Sequence, residues 1–238
     1  LYVSVTGGNE WMKLHMKNLP TVAVHDILIH SKKNDLILGT HGRSIWIFDD
    51  VSFLQEISSN VLRKPAHLFT VRLATRHASK PTRYGIGDKV FRGPNPSYGA
   101  LITYYLQEKL DKKAEIKIEI LDKSGKVIRE LKNFPREAGL NRIAWNLRFE
   151  AARPRRERRA EEDFFGRGPR GPQVLPDIYS VRLTLKDQIY EKPVKVQLDP
   201  TVKVSSDDLA LQLEYTSRIR DMQSFVNDGL GALDMLKE

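Results

Sequence analysis

The chain has 238 residues, a formal net charge of +9, 40% apolar and 29% charged side chains, and no cysteine. That length holds one or two domains with a substantial core, and the balance of apolar and charged residues is ordinary for a globular protein. The lack of cysteine excludes disulfides, thiolate metal sites and cysteine nucleophiles, and no apolar run approaches the ~18–20 residues of a membrane span.

The first stretch with a clear pattern is Val22–Asp50. Ile27-Leu28-Ile29 and Leu36-Ile37-Leu38 flank the turn formers Ser31–Asp35, and Ile45-Trp46-Ile47-Phe48 follows Gly39–Ser44. Apolar β-branched and aromatic runs split by Gly, Asn, Asp and Ser predict antiparallel strands joined by tight turns. Three such strands in about 26 residues have the spacing of a propeller blade. A blade cannot bury both of its faces alone, so neighbouring blades are expected. Leu1 opens inside an expected strand, with no basic segment leading into an apolar one as in a signal peptide, and the chain is expected to continue upstream. After Asp50, a possible cap, Val51, Leu54 and Ile57 fall on one face of an expected short helix.

Residues 59–97 read as a connector, rich in proline and glycine, with one strand over Ala66–Val71 along a domain edge. Arg and Lys between Arg72 and Arg92 are interleaved with Tyr84 and Phe91, a pattern able to hold phosphates or sugars, although a linker laid across a domain seam has the same composition. Residues 98–199 have the rhythm of a β-sandwich. Strands are expected at Ala100–Gln107, Ala114–Asp122, Val127–Leu131, Asn141–Leu147, Ile178–Leu185 and Val194–Leu198, with turn signals between them. Period two sets Ile143, Trp145 and Leu147 on one face, opposite a layer of Ile116, Ile118 and Ile120, with Trp145 as the core plug.

Residues 150–175 interrupt this pattern with Arg, Glu, Gly and Pro, and are expected to form an exposed, partly disordered loop. Arg153–Arg170 holds seven arginines against four acids. Charge alone would suggest nucleic acid, but aromatic stacking residues there are limited to Phe164 and Phe165, so nucleic acid is not the expected partner. Residues 200–238 predict an amphipathic helix capped by Ser205 or Ser206, with Asp207 and Asp208 at its positive end, and a second set of apolar positions after Asp228-Gly229. It needs a partner surface, either the sandwich or a further helix.

The chain offers little chemistry. The six histidines form no metal-binding spacing, and neither a nucleophile elbow nor a phosphate loop occurs. Glu161-Glu162-Asp163 lie in the insertion, where nothing would hold the geometry of glycoside hydrolysis. No catalytic, cofactor or metal residue is therefore assigned. His41 and Arg43, in the polar turn before Ile45, are the candidate ligand contacts; the alternative is that Arg43 pairs with Asp49 or Asp50 and His41 fills the turn.

Two resemblances add to this reading. Ser4-Val5-Thr6-Gly7-Gly8-Asn9-Glu10-Trp11 resembles the Asp-box of BNR-repeat propellers, with Ser4, Gly8 and Trp11 matching and Thr6 and Glu10 replacing the Asp and Thr. Gly39–Asp50 is similar to the closing strand pair of bacterial sortilin-like exoproteins. Within residues 98–199, IKIEILDKSGKVIREL, GLNRIAWNLR and PDIYSVRL resemble the Ig-like module of hook-capping proteins, with Pro176-Asp177 where that family shows Pro-Gly. The resemblance implies a mainly β chain: terminal propeller blade (1–58), connector (59–97), Ig-like sandwich (98–199) and C-terminal helix (200–238). It implies a non-catalytic C-terminal part of a secreted or envelope protein, whose partners are the upstream blades and a protein or glycan ligand. The alternative is an accessory part of a BNR-type glycoside hydrolase whose acids lie in upstream blades.

Overall fold

A computed structural model describes residues 1–14, 18–77, 93, 95–155 and 170–236. The chain is mainly β, with one short helix, α1 (Ser59–Leu62), and one long C-terminal helix. Short strands β1 (Tyr2–Val3) and β2 (Met12–Lys13) form a hairpin. Strands β3 (Val24–Ile29), β4 (Leu36–Thr40) and β5 (Ile45–Phe48) form an antiparallel meander, as the turn residues between the apolar runs predict. The meander lays Leu36 and Leu38 against Val51, Phe53, Val61 and Phe69 in a small core.

The larger body consists of two sheets around a shared core. One has the order β11 (Gly139–Trp145), β8 (Ala100–Leu106), β6 (Ala66–Leu68). The other, five-stranded and curled into a half-barrel, has the order β10 (Val127–Leu131), β9 (Ile116–Leu121), β12 (Ile178–Leu185), β13 (Gln188–Leu198), β7 (Ala74–Arg76). Alternation places Ile116, Ile118 and Ile120 inward from β9, opposite Ile102, Tyr104 and Trp145. Trp145 is fully buried. Its ring meets Tyr179 edge-on at 5.4 Å, and its indole N–H donates to the Arg148 carbonyl at 3.0 Å. Gly99 allows this approach, because a Cβ there would lie 1.9 Å from the Trp145 carbonyl oxygen.

The structure departs from the sequence expectations in four places. Residues 66–76, expected to belong to the connector, supply β6 and β7, and β7 pairs in parallel with the end of β13. Residues 51–57 make a single 3-10 turn, Ser52–Gln55, in which Phe53 is the buried side chain, because Asp50 ties down Ser52 rather than opening an α-helix. The expected loop over 150–175 has structured ends. Arg148 bridges Gln173, Val174 N–H donates to Leu147 O, and Ala152 and Val174 are buried. Gly171 belongs to this stem, since a Cβ there would meet the Phe149 carbonyl at 2.0 Å. Residues 156–169, including the Arg-Gly steps and Glu161–Asp163, lie outside the described residues, as do 78–92 with Tyr84 and Phe91.

Finally, the C-terminal helix, α2 (Ser206–Met235), is continuous through Gly229. It is capped as expected: Ser205 Oγ accepts from Asp208 N–H at 3.0 Å, with Asp207 and Asp208 in the first turn. Among the described residues, no helix is long and apolar enough to cross a membrane.

Candidate functional site

The hairpin β1–β2 closes on its own polar groups. Ser4 Oγ accepts from Gly8 N–H at 2.8 Å and Thr6 N–H at 3.3 Å, and Thr6 Oγ1 accepts from Glu10 N–H at 2.9 Å. The Trp11 indole donates to Gly8 O at 3.0 Å. The serine and threonine hydroxyls thus satisfy three backbone N–H groups of this turn. The β4–β5 turn repeats the last feature: Trp46 donates its indole N–H to Arg43 O at 2.9 Å.

That second turn carries both candidate ligand contacts. A β-bulge between Val24 and Asp26 offsets β3, leaving His25 without a ladder partner. Its ring lies 5.0 Å from that of His41. Thr40 Oγ1 donates to Ser44 O at 2.6 Å, and Ser44 adopts a left-handed backbone. His41 and Arg43 are both exposed on this corner. The expected alternative pairing of Arg43 with Asp49 or Asp50 is not formed; those residues serve other arginines.

Arg142, from β11, donates to the carbonyls of Asp49 and Asp50, each at 2.6 Å, and to Thr103 Oγ1 at 3.0 Å. Its guanidinium sits over the rings of Phe48 and Phe53 at 5.0 and 5.4 Å. Arg72 donates to Asp35 Oδ1 at 2.9 Å and lies 3.7 Å from Asp50 Oδ2. Burial, with Asp35 nearby, pushes the Asp49 carboxyl up from its ordinary value, and burial pulls the Arg142 guanidinium down. A planar, permanently charged guanidinium can fork across two carbonyls while stacking on rings, which a lysine cannot. This cluster locks the meander to the body and is structural.

The meander's other face is open. Register places Leu28, Ile37 and Ile47 side by side across the three strands, with Ile45 next along β5. Ile45 and Ile47 are 67% and 62% exposed, and Leu28 is also exposed. Ile27 and Ile29, at the β3 edge of the opposite face, are exposed as well.

A concave region lies elsewhere on the body. A cavity of about 700 Å3 is lined by Arg76, His77, Tyr98, Arg148, Arg170 and Gln173, among others. Arg76 donates to Val174 O and Gln173 Oε1 at 2.9 and 2.6 Å, and Arg148 donates to Gly171 O at 2.8 Å. Burial lowers both guanidinium pKa values, and for Arg148 the positive neighbours Arg170 and Arg76 add to the effect. Among the described residues the lining carries three arginines and no Asp or Glu, and Asp199 lies at its edge, 3.6 Å from His77. His77 and Arg170 adjoin positions outside the described residues. Sequence reasoning missed this region because its arginines come from segments about 70 residues apart.

Among the described residues, no group of three His, Asp or Glu side chains gathers where a metal ion could bind. His67 lies beside Glu56 at 3.6 Å and His77 beside Asp199 at 3.6 Å, each as a pair. Compared with protein-family models, with curated proteins and with solved structures, the chain matches none of them.

Proposed function

We propose that this chain is the non-catalytic C-terminal part of a sortilin-like, BNR-repeat propeller protein of the cell envelope or exterior. In this reading β3–β5 belong to a terminal blade, the two-sheet body is an Ig-like module, and the chain completes the propeller and presents surfaces to a protein or glycan ligand. The observation that carries it is the open face of the meander: apolar side chains point to both sides of a three-stranded sheet, and only one side has a core. A blade packed between two others needs both faces apolar. The self-closed Ser4–Trp11 turn supports the same reading, as does the two-sheet core. His41 and Arg43 sit on a loop at the end of the blade, where a ligand could meet them.

The test replaces Leu28, Ile45 and Ile47 together by threonine, which keeps β propensity. Binding of an environment-sensitive apolar dye should fall, while unfolding free energy changes by no more than about 1 kcal/mol, because exposed positions contribute little. A large loss of stability would show that the face is already covered within this chain, and would overturn the reading. A panel of neutral and acidic glycans, run with Arg43→Ala and Arg148→Ala, then separates the blade corner from the arginine-lined cavity. Turnover of aryl glycosides by the chain would favour the hydrolase reading instead.

A further inference from the structure

Helix α2 rests on the body along one face: Leu209 and Ser224 are buried, and Leu213, Ser217, Arg220, Asn227, Gly231 and Asp234 are half-buried, in steps of three and four residues. The first two turns of that face are apolar, and from Ser217 onward it is polar. Ser224 Oγ accepts from Arg153 N–H at 3.1 Å, and Asn227 donates to Arg153 O at 2.7 Å. Arg153 forks onto Asp228, and Arg155 onto Asp234, with shortest contacts of 2.5 and 2.6 Å. These pairs clamp the helix along Ala152–Arg155 and fix which way it is turned. The opposite face is apolar and exposed.

That face has heptad spacing. Ile219, Met222, Val226, Gly229 and Leu233, with Leu236 at the C-cap, alternate in steps of three and four, the a and d positions of a coiled-coil seam. Phe225, 79% exposed, and Leu230 flank it. At about 100 Å2 of exposed apolar surface for each of the seven side chains, the seam and its flanks offer roughly 700 Å2, close to the ~800 Å2 one partner gives to a standard interface.

We propose that α2 pairs antiparallel with α2 of a second copy, across a two-fold axis between Asn227 and Asp228. The seam is self-complementary about that point. Antiparallel pairing sets each a position against a d position of the other helix: Ile219 faces Leu236, Met222 faces Leu233, and Val226 faces Gly229. Every layer is apolar, and the smallest residue meets a β-branched one at the centre. A Cβ on Gly229 would have no neighbour within 4 Å, so the notch beside Val226 and Phe225 is open to receive a partner side chain. A closed two-fold pair uses the same patch on both copies and leaves no seam open.

The natural absence of cysteine makes the register directly readable. Chains carrying Met222→Cys, mixed with chains carrying Leu233→Cys, should form mixed disulfide dimers on mild oxidation. Met222→Cys alone should not, since its two copies would sit about 16 Å apart along the axis at 1.5 Å per residue. By sedimentation velocity the full chain should pass from monomer to dimer with concentration, and Val226→Glu should keep it monomeric with an unchanged melt. A monomer at every concentration overturns the proposal. Efficient homotypic cross-linking of Met222→Cys overturns it by showing parallel pairing, and a dimer that survives Val226→Glu overturns it by placing the interface elsewhere. Binding of the monomer to lipid vesicles through this face would equally count against it.

Discussion

In β9, Ile116, Ile118 and Ile120 are buried and Lys117 between them is exposed; in β5, Ile45, Trp46, Ile47 and Phe48 are all apolar, yet Ile45 and Ile47 face solvent. The first pattern is that of a strand with one dry and one wet face, and β12 of the same sheet follows it. The second is that of a strand meant to be dry on both sides, and within the described residues only one side is. The contrast teaches that the body is self-sufficient, while the meander carries more apolar surface than its own neighbours can bury. The C-terminal helix shows the same imbalance from Ser217 onward, with its polar side on the body and its apolar side outward.

The body's independence is most sharply broken at Trp145. Trp145→Ala leaves a large hole among Tyr179, Ile118 and Tyr104, and should cost about 3–5 kcal/mol of unfolding free energy. Denaturant melts followed by far-UV circular dichroism would measure it. A midpoint that does not move would show that the two sheets do not depend on their shared core.

A smaller effect is expected at the junction. Arg142→Ala removes the fork to the carbonyls of Asp49 and Asp50 and the stacking on Phe48 and Phe53, at a cost of about 2–3 kcal/mol. The loss should fall on the meander first. Native-state hydrogen exchange should rise in β4 and β5 while β9 and β12 keep their protection. Uniform deprotection would mean that the two regions unfold as one unit. Arg142→Lys should recover only part of the loss, because a single ammonium cannot serve two carbonyls and two rings together.

The smallest effect is one of pH. Burial lowers the His67 imidazole pKa, against the opposing pull of Glu56, while Lys64 and Lys192 add to the lowering. The unfolded chain therefore takes up this proton before the folded one does. His67 contributes no loss above about pH 6.5, and stability falls as pH drops below that value toward the folded pKa. His67→Gln should flatten this part of the pH–stability curve; an unchanged slope would assign it to another group. Glu56, whose carboxyl is held below its ordinary value despite burial by bonds from Thr70 and by Lys192, acts at lower pH. Its contribution is lost as pH falls through its folded pKa.

Much of the local structure was legible. Period two gave the strands and the inward set of β9 and β11, turn residues separated the three strands of the meander, and Ser205 with Asp207 and Asp208 marked the start of the helix. The errors lay where pairing is remote. Ala74–Arg76 is too short and too polar to announce a strand, and it becomes one only because β13, about 120 residues later, offers a parallel edge. The ends of the insertion read as loop by composition, since nothing local reveals that Arg148 and Gln173 meet. His41 and Arg43 were found as a polar turn, but that Arg43 does not pair with Asp49 or Asp50 was not legible, because Arg142 and Arg72, which engage those two residues, come from distant segments.

The sequence by itself determined which residues are apolar at which period, and hence that this is a mainly β chain with a helix at its end, because strand and helix periodicities are local properties of the backbone. The tertiary structure alone decided which faces those periodicities are left to show. It turned the polar side of α2 inward through Arg153 and Arg155, closed one face of the meander with Phe53 and Phe69, and left the other open. Burial is a property of what packs against a face, and no stretch of chain carries that information about itself.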